Sequence, residues 1–125
     1  MRWVTIPEPI TPVNPETGVA ANKSVTFYEW VDINCLDNPA HFGDGRPGAK
    51  AVARLELSFG DADPGESVPL DDADWNRLVR SVNSPGKDRL WRSPRVAAQF
   101  VAFMDAIVDA PEDKPSQLRE VPDAG

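Results

Sequence analysis

The strongest constraint on the fold is one long stretch of periodic apolar residues, at positions 93–110 (SPRVAAQFVAFMDAIVDA). Ser93 can cap a helix N-terminus, and Pro94 suits the first helical position because its missing N–H is not needed there. Pro111 ends the pattern. The large apolar side chains recur at steps of three and four residues, which predicts one amphipathic helix with an apolar face to be covered. That face consists of Val96, Phe100, Phe103, Met104, Ile107 and Val108.

Length and charge limit the class of protein. The 125 residues fit one domain with a single modest core. The formal net charge of −7 argues against a protein that holds nucleic acid through its backbone phosphates, because that role needs a dominant basic surface. No segment approaches the roughly 20 apolar residues of a membrane span, and the first ten residues lack the apolar run of a signal peptide. We therefore expect a cytoplasmic protein with no membrane partner, and nucleic acid is a disfavoured partner, with the basic strip at 77–95 as the minor alternative in its favour.

The N-terminal region is predicted to be extended, because residues that precede proline are driven away from the helical conformation. Trp3, Val4 and Ile6 are expected to form a short edge strand or to dock on the body. Residues 68–70 form a second extended piece that could pair with them. The domain organisation that we expect is an extended arm at 1–23, a helical domain at 24–110 and an acidic tail at 111–125. The prolines of the arm are Pro7, Pro9, Pro12 and Pro15.

Two further helices have recognisable starts. Ser24 or Thr26 can cap a first helix, which the Asn38-Pro39 pair ends. Asp71 can cap a later helix that carries negative charge in its first turn, where such charge suits the helix dipole. The apolar positions are Phe27, Trp30, Val31 and Leu36 in the first, and Trp75, Leu78, Val79 and Val82 in the later one.

Residues 49–59 fit two patterns. Val52, Leu55 and Phe59 share a face at helical spacing, whereas Ala53, Leu55, Leu57 and Phe59 alternate as in a strand. Helix is preferred, because alanine is a strong helix former and Gly60 lies where a helix terminator belongs. Strand remains an open alternative. The predicted fold is a mainly α, small helical domain of about four helices, with an extended N-terminal arm and room for one minor β-strand pair.

No catalytic or metal-binding pattern is recognisable. Cys35, the one cysteine, excludes an intrachain disulfide, and its apolar setting predicts a buried, inert thiol. His41 has no partners with which it could complete a zinc site, and a Cys–His nucleophile pair is improbable. The expectation is no cofactor, no metal and no enzymatic activity. A cluster of carboxylates is interpreted as solvated loop charge and helix capping, with a weak cation site as the alternative: Asp61, Asp63, Glu66, Asp71, Asp72 and Asp74.

Basic residues concentrate at positions 77–95, directly after the acidic stretch at 61–74. This bipolar arrangement suits head-to-tail contact between copies or docking on a partner of mixed charge. Trp3 and Trp91 lie beside arginines in segments without clear periodicity, a composition that is enriched at interfaces. Covering the core is an equally good explanation for both. The candidate interface residues are Trp3, Arg77, Arg80, Arg89, Trp91 and Arg92.

Several segments together resemble small proteins encoded by tailed bacteriophages. They are the opening TIPEPIT at 5–11, the helix with Phe27 and Trp30, the passage GESVPLDDADWNRL at 65–78 and the final amphipathic helix. The resemblance implies a virion structural or morphogenesis role, as a tail or head–tail component or a tail-assembly helper. Its implied partners are other phage structural proteins or further copies of the chain. The implied location is the host cytoplasm during assembly and then the virion.

A second class of function remains open. The net charge and the acidic stretch also fit an acidic inhibitor that blocks a host nucleic-acid-binding protein by presenting carboxylates. Loss of binding at high salt would distinguish such an inhibitor. An enzyme is the least favoured class, because the acid, base and nucleophile that it would need have no partners.

Overall fold

The protein is mainly α-helical, with one two-stranded antiparallel sheet among the residues described here. The computed structural model describes residues 1–36, 42–43, 45–83 and 94–114. The predicted fold class is confirmed. The elements are β1 (Arg2–Thr5), α1 (Phe27–Val31), a π-helical turn (Asp32–Leu36), α2 (Arg46–Gly60), β2 (Ser67–Leu70), α3 (Asp72–Asn83), α4 (Pro94–Ala98) and α5 (Val101–Val108).

Side-chain caps begin two of the helices at positions that the sequence predicts. Thr26 caps α1 in a complete capping box, in which its hydroxyl accepts from the Glu29 N–H and the Glu29 carboxylate accepts from the Thr26 N–H. Asp71 Oδ1 accepts from the Asp74 N–H, 2.8 Å away, at the start of α3. Residues 49–59 lie within α2, so the strand alternative is wrong. Asn38 and Pro39, the predicted end of the first helix, lie outside the described residues.

The prediction of a single helix at 93–110 is wrong in one respect. The structure divides this stretch into two helices, α4 and α5. The N–H groups of Gln99 and Phe100 donate to carbonyls three residues back, which tightens the chain into a turn between the two helices. The Gln99 side chain meanwhile bonds to the backbone of Val13, a partner that helical periodicity cannot anticipate. Ser93, the predicted cap, lies outside the described residues.

The predicted pairing of the N-terminal segment with residues 68–70 is confirmed. β1 and β2 run antiparallel, with Val4 opposite Val68 and Trp3 opposite Pro69. Pro69 is tolerated because β2 has no further strand beside it in the described part of the chain. The outer edge of β1 is covered in part, since the Trp3 N–H donates to the Pro111 carbonyl at 2.9 Å.

The core is built on aromatic side chains from three helical segments. Phe103 of α5 is fully buried, and its ring centroid lies 5.5 Å from that of Phe27 and 5.8 Å from that of Trp30. Phe27 in turn meets Phe59 of α2 edge to face at 5.4 Å. Cys35 is buried beside this cluster, as predicted, and burial raises the pKa of its thiol to about 12.

Arg2 connects the two ends of the described chain. Its guanidinium lies 4.2 Å from the centre of the Trp75 ring and donates to the Ala110 carbonyl at 3.1 Å. A second guanidinium nitrogen lies 3.3 Å from a carboxylate oxygen of Glu112. The Trp75 indole N–H donates to the Ile107 carbonyl at 2.7 Å. The start of the chain therefore packs between α3 and the end of α5 and is part of the folded body.

A candidate docking groove beside the N-terminal hairpin

Residues 10–25 form an irregular hairpin. Isolated antiparallel bridges join Ile10 to Val25 and Val13 to Ala20. At the tip, the Asn14 side chain accepts from two successive backbone N–H groups and the Gly18 N–H donates to the Asn14 carbonyl at 2.8 Å. Gly18 has φ of +73°, a conformation that glycine adopts without strain. The tip is therefore a defined turn that holds its flanking residues in place.

Gln99 ties this hairpin to the helical body. Its Oε1 accepts from the Val13 N–H at 2.7 Å, and its Nε2 donates to the Val13 carbonyl at 2.8 Å. The side-chain amide thus pairs with Val13 as a neighbouring strand would. This pair of bonds joins positions 86 residues apart and sets the distance between the hairpin and α4.

A groove of about 500 Å³ lies between the hairpin and α4. Its walls are mostly apolar, and two of its valines are well exposed, Val19 at 66% and Val13 at 38%. Val96 closes the groove on the side of α4. An exposed concave apolar surface of this kind suits the insertion of apolar side chains from another protein. The lining residues are Pro12, Val13, Asn14, Pro15, Glu16, Val19, Ala21 and Val96.

A smaller cleft of about 220 Å³ lies between the segment after β1 and the end of α2. Pro7, Pro9 and Tyr28 line it, and Phe59 and Asp63 also contribute. Burial and the nearby Glu56 carboxylate raise the pKa of Tyr28. The size of this cleft suits one or two side chains. The hairpin groove, described above, is the larger of the two candidate binding surfaces.

Four of the six carboxylates in the cluster at 61–74 have partners within the molecule, although only Asp74 is buried. Asp74 is 3% exposed, and both of its oxygens accept from the Arg54 guanidinium at 2.9 Å. Asp74 lies in the first turn of α3, as predicted, but it is buried against Arg54 of α2 and is not one of the solvated charges of the cluster. Asp72 meets the Met1 ammonium at 2.8 Å, and Glu66 accepts from the Asp63 N–H at 2.8 Å. Within the described residues, no group of three or more histidine, cysteine or acidic side chains could hold a metal ion.

The predicted interface residues lie on different elements. Trp3 is half-buried in β1 rather than in an irregular segment, and its ring lies 5.4 Å from Lys114 Nζ. Arg77 on α3 lies 5.8 Å from the centre of the Phe42 ring, and Arg80 on the same helix is exposed. These three residues stay candidate interface positions. Arg89, Trp91 and Arg92 lie outside the described residues, as does His41.

Replacing Gln99 by alanine is expected to loosen the hairpin without unfolding the body. The change removes both hydrogen bonds to Val13, while the core residues beneath keep their contacts. Hydrogen exchange followed by NMR or mass spectrometry should show faster exchange of the Val13 amide and unchanged protection in α2. Equal protection at Val13 in both proteins would mean that the hairpin is held by other contacts.

No protein-family model, curated protein sequence or solved structure matches this chain. Among the residues described, no helix has both the length and the apolar character needed to cross a bilayer. Function is therefore inferred from the sequence and from the surfaces of the described residues.

Proposed function

We propose that this chain is a non-enzymatic structural or assembly protein of a tailed phage, acting through protein–protein contacts. It would serve as a tail or head–tail component or as a tail-assembly helper. The observation that carries the proposal is the apolar groove of about 500 Å³ beside the hairpin, with Val13 and Val19 exposed on its wall.

The construction of the groove supports binding of another protein. Its lining is rich in proline and valine, side chains that lose little conformational entropy when a partner orders them. The turn at the tip and the Gln99 bonds position the wall before any partner arrives. Preorganisation of this kind lowers the cost of association. The phage setting comes from the sequence resemblance alone.

The rival function, an acidic inhibitor of a host nucleic-acid-binding protein, has less support. Such an inhibitor would present its carboxylates to the partner. Here Asp74 is buried against Arg54, and Asp71 and Asp72 are engaged in a helix cap and an ion pair. Three carboxylates of the acidic stretch thus have partners within the fold, so we give this function second place.

Site-specific photo-crosslinking tests the proposal. A photoreactive amino acid replaces Val19 in the cells that produce the protein, and a control variant carries it at Asp105, an exposed position of α5 outside the groove. We expect discrete protein crosslinks from position 19 and none of the same size from position 105. Crosslinks absent at position 19, or equal at both positions, would contradict a docking role for the groove.

A further inference from the structure

We propose that the hairpin groove of one copy receives Leu57 of a second copy, so that the chain associates head to tail. This inference rests on the proposed function and names the partner that the groove fits. Three observations carry it: an exposed apolar side chain on a convex helix face, unpaired charges of opposite sign at the two surfaces, and the separation of those surfaces on the molecule.

Leu57 is the most exposed large apolar side chain in the described part of the protein, at 82%. It lies on the outer face of α2, opposite the buried Leu55 and Phe59. One and two turns before it on the same face are Ala53 and Ala49, both small and exposed. Leu57 therefore projects beyond its surroundings, and the short alanines leave space for another surface to approach the helix backbone closely.

The charges at the two surfaces have opposite sign. Arg46 and Lys50 lie eleven and seven residues before Leu57, on the same face of α2, and neither has an ion-pair partner in the described part of the chain. Glu16 lines the groove and likewise has no ion pair among those residues. Seating Leu57 in the groove brings the cations of α2 towards this carboxylate. Complementary charge of this kind orients the approach of two surfaces.

The volume of the groove suits this occupant. At about 500 Å³ it is larger than one leucine side chain needs, so Leu57 can enter it. Val13, Val19 and Val96 provide apolar contact on its walls. Leu57 is thus the anchor of the contact, and the charged pair lies towards its rim.

The groove and the outer face of α2 share no residue, so one copy can use both at the same time. A contact between two different surfaces is heterologous, and it produces a ring if the rotation closes and a filament if it does not. Either form suits a subunit of a larger assembly.

Two variants test the inference. Leu57→Asp keeps the groove and loses the apolar anchor, whereas Val19→Asp keeps the anchor and places a charge in the groove. Sedimentation velocity of the unmodified protein over a concentration series should show self-association that weakens with added salt. Each variant alone should associate at least about tenfold more weakly. An equimolar mixture should form a heterodimer that goes no further, because each copy retains the one surface that the other has lost.

Ile33→Asp is the matched control, because Ile33 is also an exposed apolar residue, at 50%, and belongs to neither surface. This variant should associate like the unmodified protein, and circular dichroism should show that all three variants keep their helical content.

A mixture of Leu57→Asp and Val19→Asp that stays monomeric would overturn the inference. So would self-association that Leu57→Asp leaves unchanged. A strictly monomeric protein that still crosslinks to a different protein from position 19 would overturn the inference and leave the proposed function standing. A protein that neither self-associates nor crosslinks from position 19 would contradict both the inference and the proposed function.

Discussion

Replacing Phe103 by alanine is expected to lower the free energy of unfolding by roughly 3–5 kcal/mol, the usual cost of removing a buried aromatic side chain. Phe103 is fully buried, and its ring touches the rings of Phe27, Trp30 and Phe100. Its removal leaves a cavity at the point where α1 and α5 meet. Small domains are stable by about 5–15 kcal/mol, so this one change removes a large part of the total.

Urea denaturation of Phe103→Ala, followed by circular dichroism, measures this loss. Val101→Ala is the control on the same helix, because Val101 is 44% exposed, and it should change stability by less than about 0.5 kcal/mol. Phe103→Leu, which keeps part of the volume, should fall between the two. A loss below about 1 kcal/mol for Phe103→Ala would contradict the placement of Phe103 at the centre of the core.

Two glycines of α2 are expected to respond to alanine in opposite directions. A Cβ at Gly48 would overlap the Phe42 carbonyl, so the backbone must shift, at a cost of roughly 1–3 kcal/mol. A Cβ at Gly60 would meet nothing within 4 Å, and Gly60 does not have positive φ. Gly60→Ala should therefore stabilise the protein by about 0.4–1 kcal/mol, because alanine restricts the unfolded chain.

Thermal unfolding of the two alanine variants provides the comparison. The midpoint should fall for Gly48→Ala and rise slightly for Gly60→Ala. A rise for both variants would show that intrinsic helix propensity dominates and that Phe42 does not pack against α2 as the structure has it, whereas a fall for both would contradict the open space at Gly60.

Local chemistry explains which parts of the fold were predictable. The caps at Thr26 and Asp71 depend on residues within one turn of each other, so the sequence pattern alone identifies them. The pairing of β1 with β2 was recognisable because proline-restricted segments such as the one around Pro69 favour extended backbone. The preference for helix at 49–59 agreed with the alanines of α2.

Features that depend on long-range contacts were not predictable. The break between α4 and α5 accompanies the bonding of Gln99 to Val13, and periodicity carries no information about a partner 86 residues away. The same holds for Asp74, whose partner Arg54 lies 20 residues earlier on a different helix. A first-turn aspartate has the same local pattern whether solvent or an arginine faces it.

The candidate binding site shows this limit most clearly. The interface residues predicted from the sequence are tryptophans and arginines, the residue types enriched at interfaces. The groove is instead made of proline and valine from the hairpin, completed by Val96 of α4. The sequence offers one indication of this groove. Val13 and Val19 lie in the predicted arm without a place in the predicted core, and the structure leaves both exposed.

Quantitative mass spectrometry of gradient-fractionated lysate, from phage-infected cells that produce this chain, is the first test of the proposed role in phage assembly. We expect the protein to sediment with particles or assembly intermediates at a fixed ratio to their other components, and Val19→Asp to shift it to the free fraction. Recovery of the unmodified protein only at the position of a free monomer, through the whole course of infection, would contradict a role in phage assembly.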